Sequence, residues 1–269
     1  MMRVPAVAGT FYPNDEEQVI SMLAGFEKRA RPEEIPGKVI GVIVPHAGYI
    51  YSGLTAMYSY RALSRSQSRD FLIIGPNHNG YPSYSAVYPE GVWLTPLGRA
   101  RVDEDLARDL CTKSRNIVSD KLAHAMEHSI EVQVPFLQYL FGDDFSFVPV
   151  AMGDQGPQAS EELYRSISAL RRDVVLIASS DFTHYEPHEV VVKKDMELIE
   201  RIIDLDIEGF YRTLRARGVT ACGYGPIAVL MHITAELGGR MKLLHHSTSG
   251  EASGDMNATV GYGSVVAYL

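Results

Sequence analysis

Three short apolar runs constrain what this 269-residue chain can become. They are Val39–Val44 (VIGVIV), Phe71–Ile74 (FLII) and the stretch from Asp173 to Ala178 (DVVLIA). Runs with no alternation of polar and apolar residues read as strands buried on both faces, as in a largely parallel sheet covered by helices. Each is followed within a few residues by a histidine: His46 directly after Pro45, His78 in GPNHNG, and His184 in SSDFTH. In open α/β sheets, ligands bind beyond the carboxyl ends of strands. If the three strands are parallel neighbours, the histidines share one rim.

The rest of the chain alternates between the two periodicities. Helices are predicted at about 15–31, 53–63, 103–111, 160–171, 188–203, 206–217 and 225–237. Further strands are predicted at 145–152, 240–247 and 259–268, with extended structure over 84–97. The stretch 119–141 mixes helical spacing with an internal Pro135 and reads mainly as helix. The pattern predicts one α/β domain over residues 1–269, a central mostly parallel or mixed sheet flanked by helices.

Composition narrows the function. Net charge is −8, and the basic residues are scattered, in pairs at most, so nucleic acid is not the expected partner. No apolar run reaches membrane-spanning length, and MMRVPAVAGTFYP lacks the apolar core of a signal peptide. Only Cys111 and Cys222 are present. Two free thiols suit a reducing compartment, so a cytoplasmic location with no membrane association is expected.

Clustered neutral imidazoles are the commonest way to hold a transition metal. Taken singly, each histidine has an ordinary explanation. His46 could bond backbone at a helix entry, His78 could belong to a turn, and Asp181 could be a plain N-cap. The recurrence after three strands favours a site. Cys222, in TACGYGPI, precedes a predicted helix, where a thiol pKa is expected to fall, although a buried inert cysteine is the usual alternative. Cys111 reads as structural. His124-Ala125-Met126-Glu127-His128 matches the H-x-x-E-H pattern of inverted zinc peptidases, or else a solvated polar helix end. His245 and His246 on a strand point to opposite faces, so at most one could join a site. Ser179-Ser180 near Asp181 and His184 invites a serine-hydrolase reading but lacks an elbow glycine.

The ordered set AVAGTFYP, VPHAGYIYSG, GPNHNG, EHSIEVQVPFLQ, SSDFTHY, CGYGPI and GDMNATVGYGSVVAY resembles the Memo family, known in prokaryotes as AmmeMemoRadiSam system protein B. The resemblance covers essentially the whole chain and implies the fold of class III extradiol dioxygenases. It implies a metal site made by His46, His78 and Cys222, with Asp181 and His184 lining the pocket and Glu127 and His128 bordering it. The dioxygenases hold Fe(II) with two histidines and a carboxylate, whereas a thiolate would suit Fe(II), Cu or Zn. His184, Asp181 and His128 are accordingly expected to serve catalysis. The expected activity is metal-dependent redox chemistry on a small-molecule or peptide ligand. A non-catalytic binding module and a metal-dependent hydrolase are the alternatives. The prokaryotic name implies a radical-SAM pathway partner.

Overall fold

In the computed structural model, which describes residues 2–66, 68–80 and 84–269, the three apolar runs are strands lying side by side. The first half of the chain forms β1 (Met2–Arg3), α1 (Glu16–Arg29), β2 (Val39–Val44), α2 (Tyr49–Leu63), β3 (Asp70–Pro76), β4 (Ser85–Val87), β5 (Val92–Thr95), β6 (Gly98–Arg101), α3 (Glu104–Lys113), β7 (Ile117–Ser119) and α4 (Val134–Phe141). The second half forms β8 (Ser146–Met152), α5 (Pro157–Ser168), β9 (Val175–Ser179), β10 (His184–Glu186), α6 (His188–Ile203), α7 (Ile207–Arg217), α8 (Tyr224–Glu236), β11 (Arg240–Thr248), α9 (Ser249–Ser253) and β12 (Thr259–Tyr268).

The large sheet runs β10-β12-β2-β9-β3-β8-β4-β7, with β11 also paired to β12. Its centre, β2-β9-β3-β8, is parallel, and β12 and β4 flank it antiparallel, so the sheet is mixed. Phe71 and Ile73 of β3 and Val175 and Ile177 of β9 face one layer of the core. Leu72, Ile74, Leu176 and Ala178 face the other. Helices α1, α2 and α4 cover the first face; α3 and α5 to α8 cover the second. Burial on both faces explains the lack of alternation in these strands. A three-stranded sheet, β1-β5-β6, ties in the N-terminus. No helix among the described residues is long and apolar enough to cross a membrane.

The structure departs from the sequence reading in two places that matter for the site. Helix α2 begins at Tyr49 rather than Gly53, because the Tyr49 N–H finds an acceptor in the distant Phe11 carbonyl (2.7 Å). The stretch 119–141 is not mainly helix. It has single 3₁₀ turns at Leu122–His124 and Glu131–Gln133, irregular chain between them, and a true helix only from Val134. Pro135 sits in the first turn of α4, the one helical location where its missing N–H costs nothing. His124 and His128 therefore do not share a helix face.

Candidate metal centre

The carboxyl ends of β2, β9 and β3 deliver His46, Asp181 and His78 to a single rim. His46 follows β2 and is 2% exposed. Its backbone N–H donates to Asp181 Oδ1 (2.8 Å), just past the neighbouring β9. Its Nδ1 lies 2.9 Å from Ser179 Oγ. That hydroxyl donates its one proton to the Ser129 carbonyl (2.7 Å) and accepts from Gln133 Nε2 (2.9 Å). Toward the imidazole it can only accept, so His46 carries its proton on Nδ1 and presents the Nε2 lone pair to the rim. Burial first, then the neighbouring imidazoles of His78, His128 and His184, hold the His46 pKa well below the usual value.

His78 is fixed by the same logic through a different acceptor. Its Nδ1 lies 2.8 Å from Glu127 Oε1, and its backbone N–H donates to Glu127 Oε2 (2.6 Å). Burial alone would raise the pKa of Glu127. The hydrogen bond from His78 Nδ1, with backbone N–H bonds from Ser129 and His78, outweighs it and holds the carboxyl at about 2. An ionised carboxylate only accepts, so His78 also bears its proton on Nδ1 and leaves Nε2 free. This is the carboxylate–histidine arrangement that orients metal-binding imidazoles.

His128 completes the cluster from the irregular stretch. Its ring stacks on His78 (centroids 4.6 Å apart) and meets His46 edge-on at 5.4 Å, while Phe11 packs against it at 4.7 Å. Its Nδ1 is 3.5 Å from Glu127 Oε1. His46, His78 and His128 each bring a nitrogen within 4.8 Å of the others.

Cys222 approaches from the loop before α8. Its Sγ lies 3.0 Å from His46 Nε2 and accepts the Asp181 N–H at 3.3 Å, while the Cys222 N–H donates to the Asp181 carbonyl (3.2 Å). Gly223 makes this approach possible, since a Cβ there would stand 2.2 Å from the Ser179 carbonyl oxygen. Because His46 Nε2 bears a lone pair, the thiol proton points at it. The lowered pKa expected at a helix N-terminus is not found. Burial, and then the Asp181 carboxylate, push the Cys222 thiol up. A thiol in this setting ionises beside a cation, not beside a helix end alone.

Asp181 has a structural duty, bonding the His46 backbone, while its Oδ2 comes within 4.0 Å of His46 Nε2. Burial pushes its carboxyl up to about 6. His184 stands on β10, its N–H donating to Thr220 Oγ1 (2.8 Å). Its Nδ1 is buried with no partner among the described residues, and it acts on His46 and Asp181 electrostatically. The remaining histidines have other employment. His124 is fully buried with Nε2 on the Ala86 carbonyl (2.9 Å), His188 bonds Thr248, His232 stacks on Tyr164, His245 bonds Thr55 and His246 bonds Asp195.

Sequence reasoning missed the supports of these groups. Ser179 orients an imidazole. Glu131 is 1% exposed and anchors the N-terminal arm: it accepts from Arg3 Nη1, the Ala6 and Val7 N–H groups, and the Tyr12 hydroxyl. Arg3 in turn donates to the carbonyls of His124 and Glu127, so residues 3–12 pin the segment that bears Glu127 and His128. Two positioned imidazole lone pairs, a third imidazole and a thiol make a borderline-soft donor set. It fits a transition metal, and not calcium or magnesium, which take oxygen ligands.

A family model described as Memo-like protein matches residues 3–266. The chain belongs to the Memo-like family. Its relatives include MEMO1 family proteins of Thermoplasma volcanium, 51% identical over 99% of this chain and 98% of that protein, and of Thermoplasma acidophilum, 52% identical over the full length of both. The crystal structure of an uncharacterized protein from Escherichia coli K12 shares the fold, with a TM-score of 0.58 at 15% identity, covering 85% of this chain and 99% of that one.

Proposed function

We propose that the rim of the sheet binds one transition-metal ion and that the chain uses it in oxygen-dependent redox chemistry on a small organic ligand. His46 and His78 would be the imidazole ligands through Nε2, with Cys222 as thiolate and His128 beside them as an acid/base group. The observation that carries this reading is the pair of Nδ1 anchors, Ser179 for His46 and Glu127 for His78, which leave both Nε2 lone pairs free on rings whose centroids lie 5.2 Å apart. Fe(II), Cu and Zn all suit these donors, and redox chemistry selects the first two. A bound metal would supply Lewis acidity and redox capacity.

The chain's own residues supply the rest of the proposed activity. His128, beside the ionised Glu127, can accept a proton on one nitrogen while the carboxylate steadies the other. His184, with an unpartnered ring nitrogen near His46 and Asp181, is a second acid/base group toward a bound phenol-like ligand. Asp181 keeps the His46 loop in place. The test is to load the protein anaerobically with Fe(II), supply a panel of catechols, and follow O₂ uptake. Uptake in the wild type that is lost in His46→Ala supports the proposal. No uptake with any substrate, from protein carrying a full complement of iron, sinks the oxygenase reading.

The replacement of a carboxylate ligand by Cys222, with Asp181 Oδ1 already occupied by the His46 N–H, favours a second reading. In it the pocket binds metal, peptide or a partner such as a radical-SAM protein and performs no turnover. Stoichiometric, inert metal would support that reading.

A further inference from the structure

The two sides of the loop that carries Cys222 are held differently. Toward β9 the contacts are shared between two residues: Cys222 N–H donates to the Asp181 carbonyl, and Gly223 N–H to Ser180 Oγ at 2.9 Å. Toward β8 they come from one side chain. Gln155, in the turn between β8 and α5, donates from Nε2 to the Cys222 carbonyl (2.9 Å) and accepts from the Gly225 N–H at Oε1 (2.8 Å). Both ends of one amide thus grip both sides of the Gly223-Tyr224 turn. Gln155 is itself located by its backbone, whose carbonyl accepts from the Tyr211 hydroxyl (3.1 Å), and Tyr211 also bonds Ser160 Oγ (2.8 Å).

We propose that Gln155 is the positioning residue of the thiol ligand: its amide holds the Cys222 loop so that Sγ stays within ligating distance of the ion bound by His46. This inference rests on Cys222 being a metal ligand. The physical need for such a clamp follows from where Cys222 sits, on a loop between α7 and α8 that leaves the residue only partly buried. Before a metal arrives Sγ is held by the His46 ring and the Asp181 N–H, both weak sulfur contacts, so the loop has to be set in advance by its other neighbours. Gln is the one neutral side chain of that length offering a donor and an acceptor in a single plane, which the Cys222 carbonyl and the Gly225 N–H require together. Asn is one carbon shorter and cannot span both, and Met matches the length without either bond.

The test uses Co(II) added to the purified full chain, because a cobalt–thiolate bond gives a near-ultraviolet charge-transfer band that imidazole ligands do not. Wild type is expected to show the band, and Cys222→Ser to lose it. Gln155→Met is expected to weaken the band and to lower Co(II) affinity by about 10-fold, the low end of the loss seen when an outer partner of a ligand is removed. Gln155→Asn, which keeps a polar amide, is expected to show the same loss if Gln155→Met does not fold. A Gln155 variant that melts lower but keeps the full band and affinity would overturn the clamp and leave the glutamine a merely structural role. Absence of the band in wild type protein with cobalt bound would instead show that Cys222 is not a ligand, and the clamp would fall with it.

Discussion

The two edges of the central sheet treat charge in opposite ways. At the amino edge, Lys38 pairs with Asp173, and Arg172 with Asp70 and Asp103; Lys38 and Asp173 are 50% and 63% exposed, and Arg172 and Asp70 still 39% and 32%. At the carboxyl edge two carboxylates are buried, and each has several partners: Glu131 accepts from four donors and Glu127 from three. Exposed pairs contribute little because water screens them, whereas a buried charge tolerates no missing partner. The strands are equally apolar along their length, so the asymmetry is specific to the edge. A buried polar cluster that costs desolvation is retained where it serves a site.

The largest expected break of this contrast is Glu131→Ala. It strands the Arg3 guanidinium in the interior and frees the Ala6, Val7 and Tyr12 donors. Urea unfolding should show a loss of about 3–5 kcal/mol. A loss under 1 kcal/mol would mean that the N-terminal arm does not anchor the His128 segment.

Acid offers a second test. Burial lowers the His124 pKa to about 4, and Nδ1 of that ring has no partner among the described residues to receive a proton's charge. Between about pH 6.5 and 4 the unfolded chain binds a proton at His124 that the folded chain refuses, so stability falls as pH drops through that window. The full effect is ~3 kcal/mol. Glu127, held at about 2, adds a loss of the same sign as pH falls from about 4.5 toward 2. His124→Gln keeps a donor for the Ala86 carbonyl without a titrating ring, and unfolding curves at pH 7 and 4.5 should converge relative to wild type. Unchanged pH dependence in His124→Gln would refute this assignment.

Glu127→Gln should act on metal rather than on fold. The amide can donate to His78 Nδ1 and so favour the tautomer with its proton on Nε2, the wrong one for a ligand. Metal affinity measured by competition with a chelating dye should fall about 10–100-fold. At the amino edge, Lys38→Ala should cost less than about 1 kcal/mol in the same unfolding assay. A larger loss there would erase the contrast between the edges.

Much of this molecule was legible in its sequence because period and burial are local signals. The runs at β2, β3 and β9, the helices α5 to α8 and the rim placement of His46 and His78 all follow from them. The stretch around His128 was not legible, since its path is dictated by Arg3 and Glu131, far apart in sequence, and by Pro135 starting a helix rather than interrupting one. The role of Ser179 was hidden for a similar reason: a strand-end serine reads as a nucleophile until the chain folds and Ser129 takes its proton. His124 and His128 show the limit most sharply, for a motif that predicts two ligands on one helix separates into one core residue and one rim residue.

The central claim is that His46 and His78 together hold one ion, and elemental analysis after metal loading and exhaustive desalting tests it directly. Wild type and His245→Ala should each retain one transition-metal ion per chain, while His46→Ala and His78→Ala should retain essentially none. Full retention by either of the last two variants would contradict the account.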